Sequence, residues 1–268
     1  MLLLAAAVAV AAPVPRPGPD WVTVKGTVVW PEREKVPERK RYDPTAIGGA
    51  TGEYLSKAGA VTDDTFLIDE KSRGLKNVVV WIRPDDDDPE AKFPAAQIHP
   101  DLAKAKPAKH TLTNDYCKFD KRVLPMRVGD TLEVVSNSKV PVAFRVAVWD
   151  AGDSRMSLLK EGGEPLKLTD LKPGTGYFDD VLCNWKSGAE WPAKGRLWVF
   201  DHPYFAVTND LGEFEIKQVP KGKWRIMYNH ESGWHKGKNG RLGFPVEVEG
   251  DRTAEMRMKP LAFEMPKK

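Results

Sequence analysis

Val199-Phe200-Asp201-His202-Pro203-Tyr204-Phe205-Ala206-Val207-Thr208-Asn209-Asp210-Leu211-Gly212-Glu213-Phe214-Glu215-Ile216 is the stretch that decides the fold. It reads as a strand, a tight Asn-Asp-Leu-Gly turn and a second strand. A further turn at Val219-Pro220-Lys221-Gly222-Lys223 leads into a third strand, Trp224 to Tyr228. Turn-forming residues at this spacing between alternating apolar residues predict a compact antiparallel meander.

The same signals recur outward from that stretch. Trp21 to Trp30 alternates with period two, as a half-buried strand does. Leu75 to Ile82 is a β-branched run bounded by Gly74 and Pro84. Further strands are expected at Leu124 to Val128, Thr131 to Ser136, Ala143 to Trp149, Gly176 to Leu182, Arg196 to Phe200, Phe214 to Ile216, Phe244 to Glu249 and Thr253 to Met258. Residues 31–73 are charged, Gly-rich and weakly patterned, and little regular structure is expected there; residues 89–109 read as a linker. No amphipathic helical stretch of useful length is found, so the chain reads as all-β.

The chain has 268 residues, 41% of them hydrophobic and nine of them Trp, which suits a packed globular protein rather than a disordered one. Forty-one basic and 38 acidic residues nearly cancel, to a net charge of +3. No basic stripe with interleaved aromatic residues accompanies them, so nucleic acid is not an expected partner. Leu2 to Ala12 is apolar and too short to cross a bilayer, which takes about 20 residues. Followed by the Pro-rich stretch Pro13 to Pro19, it reads as a signal peptide, and an exported protein, periplasmic or extracellular, is expected. No transmembrane segment is expected. The acidic run Asp85 to Asp88 lacks the ligand spacing and turn glycine of a calcium loop and reads as a solvated loop. No nucleophile elbow, phosphate-cradling loop or paired nucleophile and base stands out, so no catalytic activity is expected.

Val24-Lys25-Gly26-Thr27-Val28, Asn77 to Ile82, Cys117-Lys118-Phe119, Val128-Gly129-Asp130-Thr131-Leu132-Glu133, Ser136-Asn137-Ser138 and the run from Phe200 to Ile216 together resemble a family of exported bacterial proteins. Its members join a cupredoxin module to a transthyretin-like (carboxypeptidase-regulatory-like) β-sandwich, and are labelled methylamine-utilisation-like or plastocyanin-like. The resemblance implies a cupredoxin-like Greek-key sandwich inserted in, or adjoining, a transthyretin-like one. The implied divisions are a signal peptide and linker at 1–19, a first transthyretin-like part at 20–106 and a degenerate cupredoxin-like domain at 107–200. A second transthyretin-like part follows at 201–262, with a tail at 263–268.

A blue-copper site takes two imidazoles, a thiolate and a weak axial thioether. Aligned by the resemblance, the first imidazole position falls near Phe144, the thiolate on Cys183 and the second imidazole on Lys186, with no Met in the loop. One expected ligand of four remains. Three fates are open to Cys183: a reactive thiol, a copper ligand, or one half of a disulfide with Cys117.

Other candidates are His202 and Tyr204, as recognition residues or a surface copper ligand, and His230, with Glu231 and His235, as a loop cation site. Packing at a sandwich junction is the alternative for His202. Trp185 and Trp191, in the altered loop, are candidates for stacking on sugars. The leading expectation is a non-catalytic exported protein whose cupredoxin module serves structure or binding, without cofactor, its partner a protein or glycan of the cell envelope. A copper-binding electron carrier using Cys183 and a carbohydrate-binding module of the envelope are the alternatives.

Overall fold

The computed structural model describes residues 20–57, 59, 61–183, 193–234, 237–249 and 254–257. The expected signal peptide and tail lie outside them. The described chain is nearly all β, arranged as packed sheets.

One sandwich is built from β5 (Lys109–Asp115), β6 (Lys118–Phe119), β7 (Val123–Arg127), β8 (Thr131–Ser136), β9 (Val142–Val148), β10 (Asp153–Leu159), β11 (Leu166–Leu168), β12 (Gly174–Asp180) and β13 (Lys194–Phe200). Its sheets run β10-β9-β12-β13-β7 and β11-β8-β5-β6. Alternation seats the core: Leu132 and Val134 of β8 and Leu112 of β5 face Phe144, Val146, Phe178 and Leu197 of the other sheet.

The second sandwich takes its strands from both ends of the described chain. β1 (Trp21–Thr27), β15 (Glu213–Pro220) and β19 (Ala254–Arg257) form one sheet, in the order β15-β1-β19. β4 (Val79–Pro84), β14 (Phe205–Val207), β16 (Gly222–His230) and β17 (Gly233–Trp234) form the other, in the order β14-β4-β16-β17, and β18 (Phe244–Val248) also pairs with β16. Val24, Ile216, Val80, Ile82, Tyr204 and Ile226 fill the space between them.

The meander expected from 199–228 is corrected by this pairing. β14 bonds to β4, whereas β15 bonds to β1, so the Asn209–Gly212 turn carries the chain from one sheet to the other. The turn is a corner because it is docked. Thr208 is buried, accepts a hydrogen bond from Val78 N–H at 2.9 Å and donates one to the Leu75 carbonyl at 2.7 Å. Gly212 has φ +75°, and a Cβ there would lie 2.2 Å from the Val28 carbonyl oxygen. Only glycine satisfies both conditions.

Val79 to Ile82 of β4 and Leu197 to Phe200 of β13 have no polar face. Val80 and Ile82 fill one core while Val79 and Trp81 face outward to meet Trp198, Phe200 and Val123 of the other sandwich. A strand covered on both sides reads as a continuous apolar run, as Val78 to Ile82 and Leu197 to Phe200 do. Trp81 lies 5.0 Å from Trp198 and 5.6 Å from Trp234, ring to ring. Beside this junction the Arg122 guanidinium is bonded to Glu231 through Nε at 2.8 Å and also through Nη2, both side chains being 7% exposed.

Residues 31–73 are more ordered than expected. They hold β2 (Arg41–Tyr42), paired with β3 (Val61–Thr62), and the helix α1 (Gly49–Ser56). Two glycines and a threonine make α1 a poor helix on propensity alone. Its Tyr54 and Leu55 are buried against the other sandwich, and that packing supplies what propensity does not. The acidic run Asp85 to Asp88 is exposed, as expected of a solvated loop, and Asp85 and Asp87 each bond Arg225 at 2.8 Å.

Removing one partner of a buried ion pair strands the other charge. Glu231→Gln is therefore expected to lower unfolding free energy by roughly 3–5 kcal/mol in urea titration. A loss within about 1 kcal/mol would place the pair outside the load on this junction.

Candidate functional site

The end of the first sandwich that carries the cysteines is built from four pieces. Asp115 pairs with Lys118, which leaves Tyr116 and Cys117 as a two-residue hairpin loop. Both have positive φ, 46° and 54°, the backbone of a type I′ turn that Asn-Gly ordinarily supplies. Each left-handed non-glycine residue costs about 1–2 kcal/mol.

Tertiary contacts hold the strained tip. Cys117 is joined to Cys183 by a disulfide, with Cα atoms 5.8 Å apart. A cross-link over a sequence separation of 66 removes unfolded-chain entropy equivalent to about 4 kcal/mol, enough to offset the turn. Tyr116 stacks on Tyr54 of α1 at 4.5 Å, and the Tyr54 hydroxyl donates to Asp115 at 3.0 Å. The helix thus lies over the disulfide end, with Ala193, Tyr42 and Val140 packed around it.

Asp180 closes the group. It ends β12 and is 4% exposed, and its Oδ1 accepts N–H bonds from Ala143 at 3.1 Å and Leu182 at 3.2 Å. Burial pushes its carboxyl up to about 6. Ligand-type atoms of Cys117, Asp180 and Cys183 all lie within 4.8 Å of one another, and all three residues are buried. Sequence reasoning did not single out Asp180; its place three residues before Cys183 was the available signal.

The other sequence-predicted residues lie elsewhere. Phe144 is fully buried in the sandwich core, 5.9 Å from Phe119, and belongs to a different apolar cluster from Cys183. Lys186, Trp185 and Trp191 lie outside the described residues. His202 is buried between Phe93 and Phe200, with Nδ1 accepting the Tyr204 N–H at 3.2 Å. Burial brings its pKa down to about 4, so it is neutral. Tyr204 is 0% exposed; its hydroxyl donates to the Gln97 carbonyl and accepts from His99 N–H. His230 is 1% exposed, stacked on Phe66 and bonded to Ser232, and burial with the nearby Arg122 charge brings its pKa down to about 3. Glu231, between the two predicted cation ligands, is committed to Arg122.

No protein-family model matches the chain, and no curated protein matches it either. Solved structures similar to part of it include cupredoxins. A purple cupredoxin from Nitrosopumilus maritimus is 16% identical over 34% of this chain and 98% of its own, with a TM-score of 0.26. A reduced amicyanin variant is 16% identical over 45% and 97%, at 0.27. A fern plastocyanin variant is 20% identical over 34% and 99%, also at 0.27.

The donor set here does not fit a type 1 copper ion. The Cys183 sulfur is bonded to carbon and to a second sulfur, Phe144 offers no donor atom, and the one cluster of metal-type ligands among the described residues contains no imidazole. What the group can do chemically is exchange a proton at Asp180 and two electrons at the disulfide.

The proton chemistry has a measurable consequence. The folded pKa of Asp180 lies above its ordinary 3.8, so the stability that it contributes is complete below 3.8 and is lost as pH rises through about 6. His202 and His230, with lowered pKa values, act in the opposite sense over an overlapping range. The difference between wild type and Asp180→Asn isolates the carboxyl. Relative to the variant, the wild type is expected to lose roughly 3 kcal/mol between about pH 4 and pH 7 in urea titrations. Parallel pH profiles would show that Asp180 titrates as it does in the unfolded chain.

Proposed function

We propose that this chain is an exported, non-catalytic β-sandwich protein whose cupredoxin-like module serves structure or binding in place of electron transfer. On this reading the module is inserted, between about residues 107 and 200, in a transthyretin-like sandwich that carries its two flanks. The observation that carries the proposal is the engagement of the Cys183 sulfur with Cys117. Two further features support it: an aromatic hydrocarbon, Phe144, stands where an imidazole is expected, and α1 covers the end of the sandwich at which the cysteines lie.

The electron-carrier alternative requires the disulfide to open and two imidazoles to reach Cys183. His202 and His230 are each committed to hydrogen bonds within buried aromatic surroundings.

Copper titration separates the two readings. The protein is reduced with a dithiol, freed of the reductant, and titrated with Cu(II) under visible absorption. The proposal predicts no intense blue thiolate charge-transfer band and no tight stoichiometric copper. A stoichiometric blue band that vanishes in Cys183→Ser would make electron transfer the function.

A further inference from the structure

The outer face of the β10-β9-β12-β13 sheet carries charges and rings that neither core uses. Strand register sets their places: Arg145 of β9 lies opposite Asp179 of β12, and Asp179 lies opposite Lys194 of β13. In the next row Ala147 lies opposite Tyr177, and Tyr177 opposite Arg196. Directly paired residues share a face, so these side chains form one array.

The array is organised by two touching rings. Trp149, just past β9, has its ring centroid 5.4 Å from that of Tyr177. The Arg145 guanidinium and the Lys194 ammonium each sit 5.2 Å from the Tyr177 centroid, and the Arg196 guanidinium sits 5.3 Å from that of Trp149. Arg145 is bonded to Asp179 at 2.9 Å. Among the described residues no carboxylate pairs with Lys194, and the hydrogen bond that Arg196 donates goes to the Glu231 carbonyl. Three cations against one carboxylate leave two positive charges unbalanced on this face.

We infer that this face binds an acidic polysaccharide. The two unbalanced cations complement carboxylates repeated along a chain, and the rings hold them in place before the ligand arrives. Trp149 is 52% exposed, and with one ring face taken by Arg196 the open remainder suits the apolar face of a sugar. A sheet face is extended and open, which fits a long ligand rather than a compact one. Like charge on both surfaces disfavours a second copy of this chain as the occupant. The inference rests on reading the chain as a binding protein and names a ligand class for it.

Isothermal titration of the full chain with polygalacturonate tests it, with dextran as the neutral control. The expected result is binding to polygalacturonate alone, weakened as salt rises. Lys194→Glu and Trp149→Ala, with melting temperatures as in wild type, should each weaken it roughly fivefold or more. Wild-type binding by both variants overturns the assignment of this face. Equal binding to duplex DNA with the same mutational response overturns the assignment of a glycan. Met156 and Leu158 of β10 share this face, Met156 opposite Arg145, and are 66% and 73% exposed. Binding to phosphatidylcholine vesicles containing phosphatidylglycerol, lost in a Met156→Ser, Leu158→Ser double variant and unaccompanied by polygalacturonate binding, assigns the face to a lipid surface instead. The blue-copper band is read separately, so failure here is distinguishable from failure of the non-metal reading.

Discussion

Two strand segments without a polar face, Val79 to Ile82 and Leu197 to Phe200, oblige the two sandwiches to share a junction. β4 sends Val80 and Ile82 into one core, which leaves Val79 and Trp81 to be covered; β13 does the same with Leu197 and Val199 on one side and Trp198 and Phe200 on the other. Water cannot cover four large apolar side chains per pair of strands without a cost of several kcal/mol, so the outward faces meet each other. The rest follows from that contact. The chain crosses at 201–204, where His202 is buried neutral, and the long connection 31–73 is drawn across the first sandwich. Arg122 and Glu231 are held in each other's reach beside the junction.

At the cysteine end a second constraint operates, and it is covalent. The disulfide secures a hairpin tip whose two residues both take left-handed backbone, and the tip in turn gives α1 an aromatic seat through Tyr116 and Tyr54. An arrangement in which Cys183 is a free thiolate would give up this cross-link, and the support that Asp180 draws from the local backbone lies in the same few residues. Stability and metal binding therefore compete for one sulfur.

Much of the β architecture was legible because burial writes itself as alternation. Thr131–Ser136 is the strand that alternation marks, and the cores lie where its apolar positions point. β5 was missed because Lys109 to Asp115 carries a single apolar residue, Leu112, and borrows its order from a parallel partner, β8. Asn209 to Gly212 was readable as a turn but not as a corner, since hairpin and corner need the same residues; what distinguishes them is the docking of Gly212 on Val28 and Gly74. α1 was illegible because its stability is tertiary. At the site, Cys183 and Cys117 were visible as candidates, whereas Asp180 and the Trp149–Tyr177 array depend on cross-strand neighbours that a linear reading does not bring together.

The functional account turns on the oxidation state of one pair of sulfur atoms. It is tested most directly by alkylating the native protein before and after reduction, then mapping its peptides by mass spectrometry. The account predicts a single cross-linked peptide joining Cys117 to Cys183, with no alkylation until reductant is added. Full alkylation of Cys183 in the unreduced protein would contradict it and return that sulfur to the pool of available ligands.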